Sequence, residues 1–151
     1  MYDTHSEVKM SFQPSAEFSH VPCRVLMNKA PPVANADEKL IDVTRRLLGV
    51  DYKVVVIYDD GEAIGLVTIK DIVKWLIETK DNHDIIMGDL VSIPLITVNI
   101  DSSLRDALSI MNKYKINHIV IEENKTLKGL LTNSSIQEFC EKYPHYLRQY
   151  S

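Results

Sequence analysis

Apolar and polar positions along the chain form a regular succession of predicted helices and strands. A short apolar stretch at 32–34 leads into an acidic helix start near Asp37, after which apolar residues recur three and four positions apart. The β-branched run 53–58 has the composition of a strand, and the sequence at 59–61, with its Asp-Gly step, is typical of a hairpin turn. The chain then returns as another strand, and a second helix is predicted to begin near Thr68.

The same succession occurs a second time, displaced by 64 positions. Without any gap, this shift superposes ten identical residues over the 43 positions 33–75, whereas average composition would give about three. Each copy therefore predicts the order β-α-β-β-α, which places the chain in the α/β (α+β) class. The identical pairs include Asn35 and Asn99, Asp37 and Asp101, Gly65 and Gly129, Thr68 and Thr132, and Ile72 and Ile136.

The repeat divides the chain into five segments. The two copies are 21–77 and 88–142, the polar stretch 78–87 connects them, and 1–20 and the tail 143–151 lie outside the repeat. A unit of about 60 residues buries little surface by itself. We therefore expect the two copies to pack sheet to sheet with pseudo-twofold symmetry, and to form two related clefts where they meet.

Composition and charge narrow the function classes. Among 151 residues, 45% are hydrophobic and 25% are charged, which is ordinary for a globular protein. A net charge of −4 provides no general basic surface, which argues against non-specific nucleic-acid binding. No apolar run approaches the roughly 18 residues that span a bilayer, and the start of the chain lacks the layout of a secretion signal. Cys23 and Cys140 form no CxxC pair, so we expect a cytoplasmic protein with reduced thiols and no membrane partner.

The features that carry a family resemblance occur in a fixed order, most of them twice. They are VLM at 25–27, PPV at 31–33, the helix start with Asp37, Leu40 and Val43, VVI at 55–57, and GLVTIKD at 65–71. In this order and spacing the chain resembles the tandem cystathionine-β-synthase (CBS) domain pairs, or Bateman modules, over residues 22–142. The resemblance implies a non-catalytic regulatory module that binds an adenosine-containing ligand (AMP, ADP, ATP or S-adenosylmethionine) in the clefts. It also implies that no other cofactor is required, and that the chain forms a homodimer and acts on a separate effector protein.

Gly65, Thr68 and Asp71 match the nucleotide signature Gly-x-x-Thr-x-x-Asp of that family. Unpaired backbone N–H groups and the dipole at a helix N-terminus favour a phosphate. Thr68 adds a hydroxyl there, and Lys70 adds a positive charge. An ionised Asp71 can accept hydrogen bonds from both hydroxyls of a ribose. Gly65 allows a close approach to the strand.

The resemblance also implies roles for the residues just before the second strand of each copy. In many members a basic residue at this position binds phosphate, and here the position holds Lys53 in the first copy and Asn117 in the second. The adenine of a ligand at Asp71 is expected to lie against Ile116 and Asn117.

The second copy departs from the signature. It keeps Gly129 and Thr132, but Ser135 stands at the position of Asp71. Losing a hydrogen bond to a charged group costs about 1.5–3 kcal/mol, which is one to two decades of affinity. We therefore expect a weaker second cleft, centred on Thr132 and Ser135.

One other interpretation stays open at this point. Thr68 and Asp71 also have the spacing of a capping box, which stabilises a helix start without any ligand. The chain is then a ligand-free structural or protein-interaction module, and the altered second signature favours this alternative. The sequence offers no nucleophile–base pair, and its five histidines are scattered, so we predict neither catalytic nor metal-binding residues.

Overall fold

Strands and helices alternate in the order that the repeat predicts. The structure is a computed structural model that describes residues 13–14, 20–78, 84–143 and 147–148. The strands are β1 (Gln13–Pro14), β2 (Val33–Asn35), β3 (Val54–Asp59), β4 (Glu62–Thr68), β5 (Ile93–Pro94), β6 (Thr97–Asn99), β7 (His118–Glu123), β8 (Thr126–Thr132) and β9 (Leu147–Arg148). The helices are α1 (Leu40–Arg46), α2 (Ile69–Glu78), α3 (Leu104–Tyr114) and α4 (Asn133–Lys142).

The two copies form their sheets with the same register. In the first copy β2 runs parallel to β3, and β3 is antiparallel to β4; strands β6, β7 and β8 repeat this arrangement. Val56 pairs with Leu66, and 64 positions later Val120 pairs with Leu130. Both hairpins also contain an irregularity at the same place along the strand. The predicted β-α-β-β-α order and α/β class are confirmed.

The hairpin turn of the first copy forms where the sequence predicts it. Asp60 has φ 51° and Gly61 has φ 80°, the left-handed values that a two-residue hairpin turn requires at both central positions. Glycine adopts this backbone without strain, and aspartate tolerates it better than most residues. The acidic residues at 59–60 therefore form the turn.

The first helix of each copy begins later than the sequence predicts. The expected starts were Asp37 and Asp101, but α1 begins at Leu40 and α3 at Leu104. In the second copy the N–H of Asp101 donates to Asn99 Oδ1 at 2.8 Å, in a turn. The helix cap is instead Ser103, whose Oγ accepts from the N–H of Asp106 at 3.0 Å.

The compact units of the structure do not share their boundaries with the sequence copies. Among the described residues, the first unit is formed within Ala30–Ile96, and the second combines those up to Lys29 with those from Thr97 onward. In the first unit Met87 and Leu90, which follow the first copy, join the buried cluster of the β3–β4 hairpin and both helices. The backbone holds this addition in place: the N–H of Leu40 donates to Ile85 O at 2.8 Å, and that of Met87 to Glu38 O at 2.9 Å.

The beginning of the first copy, up to Lys29, completes the second unit in the same way. The N–H of Cys23 donates to Ser102 O, and the N–H of Leu104 donates to Val21 O, both at 2.8 Å. Asn28 then exchanges two backbone hydrogen bonds with Leu130 on β8, at 2.7 and 2.9 Å. The main part of each copy is thus completed by residues at or just before the start of the other copy.

No helix among the residues that the structure describes is long and apolar enough to cross a membrane.

Met87→Ala is expected to lower the free energy of unfolding by about 2–5 kcal/mol, because it empties a side-chain site with 0% exposure. Leu48→Ala, at a position 74% exposed, is the control and should change it by less than about 0.5 kcal/mol. Urea unfolding of both variants measures the difference. Equally small effects would show that the segment containing Met87 does not contribute to the core.

Candidate functional site

Thr68 and Asp71 interact at the start of α2 as the capping interpretation predicts. Thr68 Oγ1 accepts from the N–H of Asp71 at 3.1 Å, and the Thr68 hydroxyl donates to Asp71 Oδ2 at 2.7 Å. Beside this cap, the N–H of Ile69 donates to Lys53 O at 2.8 Å. The helix start is therefore fixed by hydrogen bonds within the first unit.

Ser92 is a third member of this cluster, and the sequence did not indicate it. Its hydroxyl also donates to Asp71 Oδ2. Its own N–H donates to Leu66 O on β4 at 3.1 Å, so the backbone of Ser92 is anchored to the strand that ends at Thr68. The 64-residue shift aligns Ser92 with Asn28, so the repeat gives no identical pair that could have identified it.

The environment of Asp71 favours the ionised carboxylate. Burial raises the pKa of this group, but hydrogen bonds from Ser92 and Thr68 and the positive charge of Lys74 outweigh that effect. The net result is a pKa below the usual range of an aspartate. At neutral pH the start of α2 therefore presents a fixed negative charge.

The glycine of the signature has a packing role. A Cβ on Gly65 would lie 2.5 Å from Val91 Cγ1 and 2.8 Å from Ile93 O, distances that real Cβ atoms do not show. In the second unit a Cβ on Gly129 would lie 2.7 Å from Asn28 O. The close approach predicted at Gly65 is thus made by the protein's own chain.

A groove of about 490 Å³ runs along α2 in the first unit. Three carboxylates against one lysine make it negative, and Trp75, which is 39% exposed, supplies an aromatic surface. The lining residues are Asp71, Lys74, Trp75, Glu78, Asp89, Leu90, Val91 and Ser92.

The predicted phosphate-binding lysines lie near Asp71 but outside this groove's lining. Lys70 is the second residue of α2, and the carbonyl of Lys53 is hydrogen-bonded to the helix start. Both side chains are exposed, and within the described residues neither forms an ion pair. The structure therefore brings Lys53, Thr68, Lys70 and Asp71 to one end of α2.

The second unit has the corresponding helix start without the carboxylate. Thr132 Oγ1 accepts from the N–H of Ser135 at 3.0 Å, and the two hydroxyl oxygens are 2.8 Å apart. Asn117 O accepts from the N–H of Asn133 at 2.9 Å, which places Ile116 and Asn117 beside Thr132 in this unit. That Ile116 and Asn117 contact an adenine bound at Asp71 stays a prediction.

A second groove, of about 400 Å³, runs along α4 and corresponds to the first under the 64-residue shift. Its lining contains one acidic residue, Glu138, and one basic residue, Lys142, so their charges cancel. The ring centroids of Phe139 and Tyr143, which also line it, are 5.0 Å apart. The two grooves therefore differ in charge although they occupy equivalent places in their units. The remaining lining residues are Val25, Leu26 and Ser135.

The two cysteines are buried in the second unit and are not linked to each other. Burial raises the pKa of both thiols to about 11, so they stay protonated and are poor nucleophiles at neutral pH. Across the described ranges no group of three or more His, Cys, Asp or Glu side chains could hold a metal ion.

The sequence model of the CBS domain matches the chain twice, at residues 23–78 and 87–142. These two matches cover most of the chain, and the chain belongs to the CBS domain family.

Curated relatives include both uncharacterized proteins and an enzyme. The uncharacterized protein MJ0450 of Methanocaldococcus jannaschii is 29% identical over 116 residues, which are 74% of this chain and 62% of that protein. Inosine-5′-monophosphate dehydrogenase of Helicobacter pylori is 33% identical over 111 residues, which are 72% of this chain and 21% of the enzyme. The chain thus spans less than two thirds of the length of these relatives.

Solved structures share the fold. An uncharacterized conserved protein from Pyrococcus horikoshii is similar with a TM-score of 0.69 and 25% identity, over 88% of this chain and 97% of that one. The CBS domain pair of protein MJ0100, in complex with 5′-methylthioadenosine and S-adenosyl-L-methionine, is similar with a TM-score of 0.69 and 19% identity, over 82% and 98% of the two chains.

Asp71→Asn is expected to change how the stability of the protein depends on pH. Because folding lowers the pKa of Asp71, its carboxylate stabilises the fold at neutral pH, and this contribution is lost as the pH falls through the lowered pKa. The difference in the free energy of unfolding between wild type and variant should be largest at pH 6–7 and should shrink below about pH 4. Urea unfolding at several pH values tests this.

Asp89→Asn is the matched control, because Asp89 lines the same groove but takes no part in the hydrogen bonds that Thr68 and Ser92 donate to Asp71. An Asp71→Asn difference that stays constant from pH 7 to pH 3 would contradict the prediction.

Proposed function

We propose that the chain is a non-catalytic regulatory module that binds an adenosine-containing ligand at Asp71. The observation that carries the proposal is the ionised carboxylate held at the start of α2. Two hydroxyls donate to its Oδ2, whereas within the described residues no hydrogen bond reaches Oδ1. A ribose diol is a pair of neighbouring donors that suits such an acceptor.

The charges around Asp71 suggest how a nucleotide is oriented. The groove along α2 is negative, so the phosphate of AMP, ADP or ATP is expected to avoid it and to lie toward Lys53 and Lys70 at the helix start. A ligand without phosphate needs no such cations. The complex of the MJ0100 domain pair with 5′-methylthioadenosine and S-adenosylmethionine supports including both compounds among the candidates.

Binding regulates only if the ligand has different affinities for two conformations of the protein. In this proposal a separate effector protein responds to the change of conformation. The protein acts in the cytoplasm. Inosine-5′-monophosphate dehydrogenase shows that a relative of this chain occurs within a much longer enzyme.

A ligand-free structural module is the second candidate function. One observation favours it: the Thr68 hydroxyl caps the start of α2 and bonds to the Asp71 carboxylate without any ligand. Thermal unfolding with AMP, ATP, 5′-methylthioadenosine and S-adenosylmethionine separates the two candidates. A ligand present at a hundred times its dissociation constant adds about 2.7 kcal/mol to stability, whereas a structural module shows no shift with any of the four.

Asp71→Ala is expected to weaken binding of the ligand about 10- to 100-fold, because it removes the charged acceptor of the diol. Ser135→Ala, at the equivalent position of the second unit, should weaken binding less than about threefold. Isothermal titration of both variants measures the effect. Unchanged affinity in Asp71→Ala, in a protein with normal secondary structure, would exclude Asp71 as the ligand's anchor.

We further propose that the chain forms a homodimer through α2. Val73 and Ile77 lie four positions apart on this helix and are 46% and 77% exposed. The equivalent positions on α4 hold Gln137 and Glu141, so only α2 exposes an apolar pair here. Basic Lys70 and acidic Glu78 lie near opposite ends of α2, so antiparallel packing of two copies brings opposite charges together.

Ile77→Asp is expected to convert the dimer to a monomer at micromolar concentration, because it places a charge in an apolar contact. Sedimentation equilibrium measures the change in mass. Glu141→Ala, at the equivalent place on α4, is the control and should leave the mass unchanged. A wild-type protein that sediments as a monomer would overturn the proposal.

A further inference from the structure

We infer that Ser92 is a positioning residue for the carboxylate of Asp71 and that it sets the selectivity of this site for ribose over deoxyribose. The inference rests on the proposed function, because it concerns the ligand bound at Asp71. It adds a residue that lies outside the signature and 21 positions further along the chain.

The backbone of Ser92 has little freedom to move away from Asp71. Its N–H donates to Leu66 O at 3.1 Å, and the next residue, Ile93, pairs with Leu66 in the sheet. Gly65 lets Ile93 approach so closely that a side chain at position 65 would collide with the carbonyl oxygen of Ile93. The Ser92 hydroxyl is therefore presented to the carboxylate by backbone that is held against β4.

Two donors on one oxygen fix the orientation of the carboxylate. The terminal torsion of an aspartate is broad, so a carboxylate on a helix surface samples many orientations. Here the Thr68 hydroxyl donates to Oδ2 from the helix cap, and the hydroxyl of Ser92, the residue just before β5, donates to the same atom. Oδ1 is left in a defined direction, which reduces the entropy lost when a ribose hydroxyl binds to it.

The second unit contains neither half of this pair. Its helix start holds Ser135 in place of the carboxylate, and position 28, which the repeat aligns with Ser92, is asparagine. Ser134 is the nearest match to a supporting hydroxyl, because its Oγ lies 3.2 Å from Thr132 Oγ1. It therefore provides a control at a comparable place in the fold.

The test compares ribose and deoxyribose ligands in three variants. AMP and 5′-methylthioadenosine, each beside its 2′-deoxy analogue, are titrated into wild type, Ser92→Ala, Ser92→Thr and Ser134→Ala. In the wild type we expect the 2′-deoxy analogue to bind about 10-fold or more weakly, since it lacks a donor to a charged acceptor. Ser92→Ala should reduce this ratio at least threefold, whereas Ser92→Thr and Ser134→Ala should keep it.

The ratio separates positioning from a merely structural role. If Ser92→Ala weakens both ligands equally, the residue supports the fold alone, and the inference is wrong. It is also wrong if Ser92→Ala strengthens ribose binding, because the hydroxyl then competes with the ligand for Asp71. Ser92 is exposed, so the alanine variant is expected to fold.

A second measurement does not need a ligand. The ¹³C carboxyl signal of Asp71 is titrated in wild type and Ser92→Ala, and loss of the hydroxyl is expected to move its pKa upward. If the wild type binds neither probe, the proposed function fails, and the selectivity inference fails with it. An unchanged carboxyl titration, by contrast, overturns the Ser92 contact even if the ligand binds.

Discussion

The close approach of residues 91–93 to β4 is the constraint on which the first unit depends. Only a glycine at position 65 leaves room for it. The approach adds β5 to the sheet, carries Met87 and Leu90 into the core, and places the hydroxyl of Ser92 on Asp71. A single packing contact therefore connects the core to the charged group at the helix start. The same approach recurs in the second unit, where Gly129 makes room for Asn28.

The two copies keep their backbone while their helix starts have diverged in chemistry. Their strand registers are identical under the 64-residue shift, and both helix starts are capped by a threonine hydroxyl. Two and three positions after the threonine, the first copy has a lysine and an aspartate, and the second copy has two serines. The buried Asn133, whose amide atoms have no hydrogen-bond partner in the described part of the chain, stands where the first copy has Ile69. The scaffold tolerates such changes because the threonine cap and a backbone hydrogen bond to residue 53 or 117 maintain each helix start.

Local pattern was sufficient to predict the order of elements, but it could not predict every contact at the site. The β-branched runs and the Asp-Gly turn identified both hairpins, because strand composition and turn chemistry act over a few residues. Both α1 and α3 begin three residues after the predicted starts. In the second copy the reason is that Asp101 lies in a turn and Ser103 provides the cap. Ser92 was missed because it lies 21 residues from Asp71 and reaches it through the pairing of β4 with β5, which no short motif encodes. Thr68 and Asp71 were recognisable because their interaction is local.

The exchange of leading segments between the copies affects how the protein is made. During synthesis, residues 20–29 leave the ribosome before any of their partners, which begin at residue 97. The first unit, in contrast, contains all of its strands once residue 96 has emerged. It can therefore fold while translation continues, and the early segment must wait for contacts of long sequence separation, which form slowly. A ribosome pause shortly after residue 96 has emerged would favour an ordered sequence of folding, with the unit Ala30–Ile96 first and the other unit second.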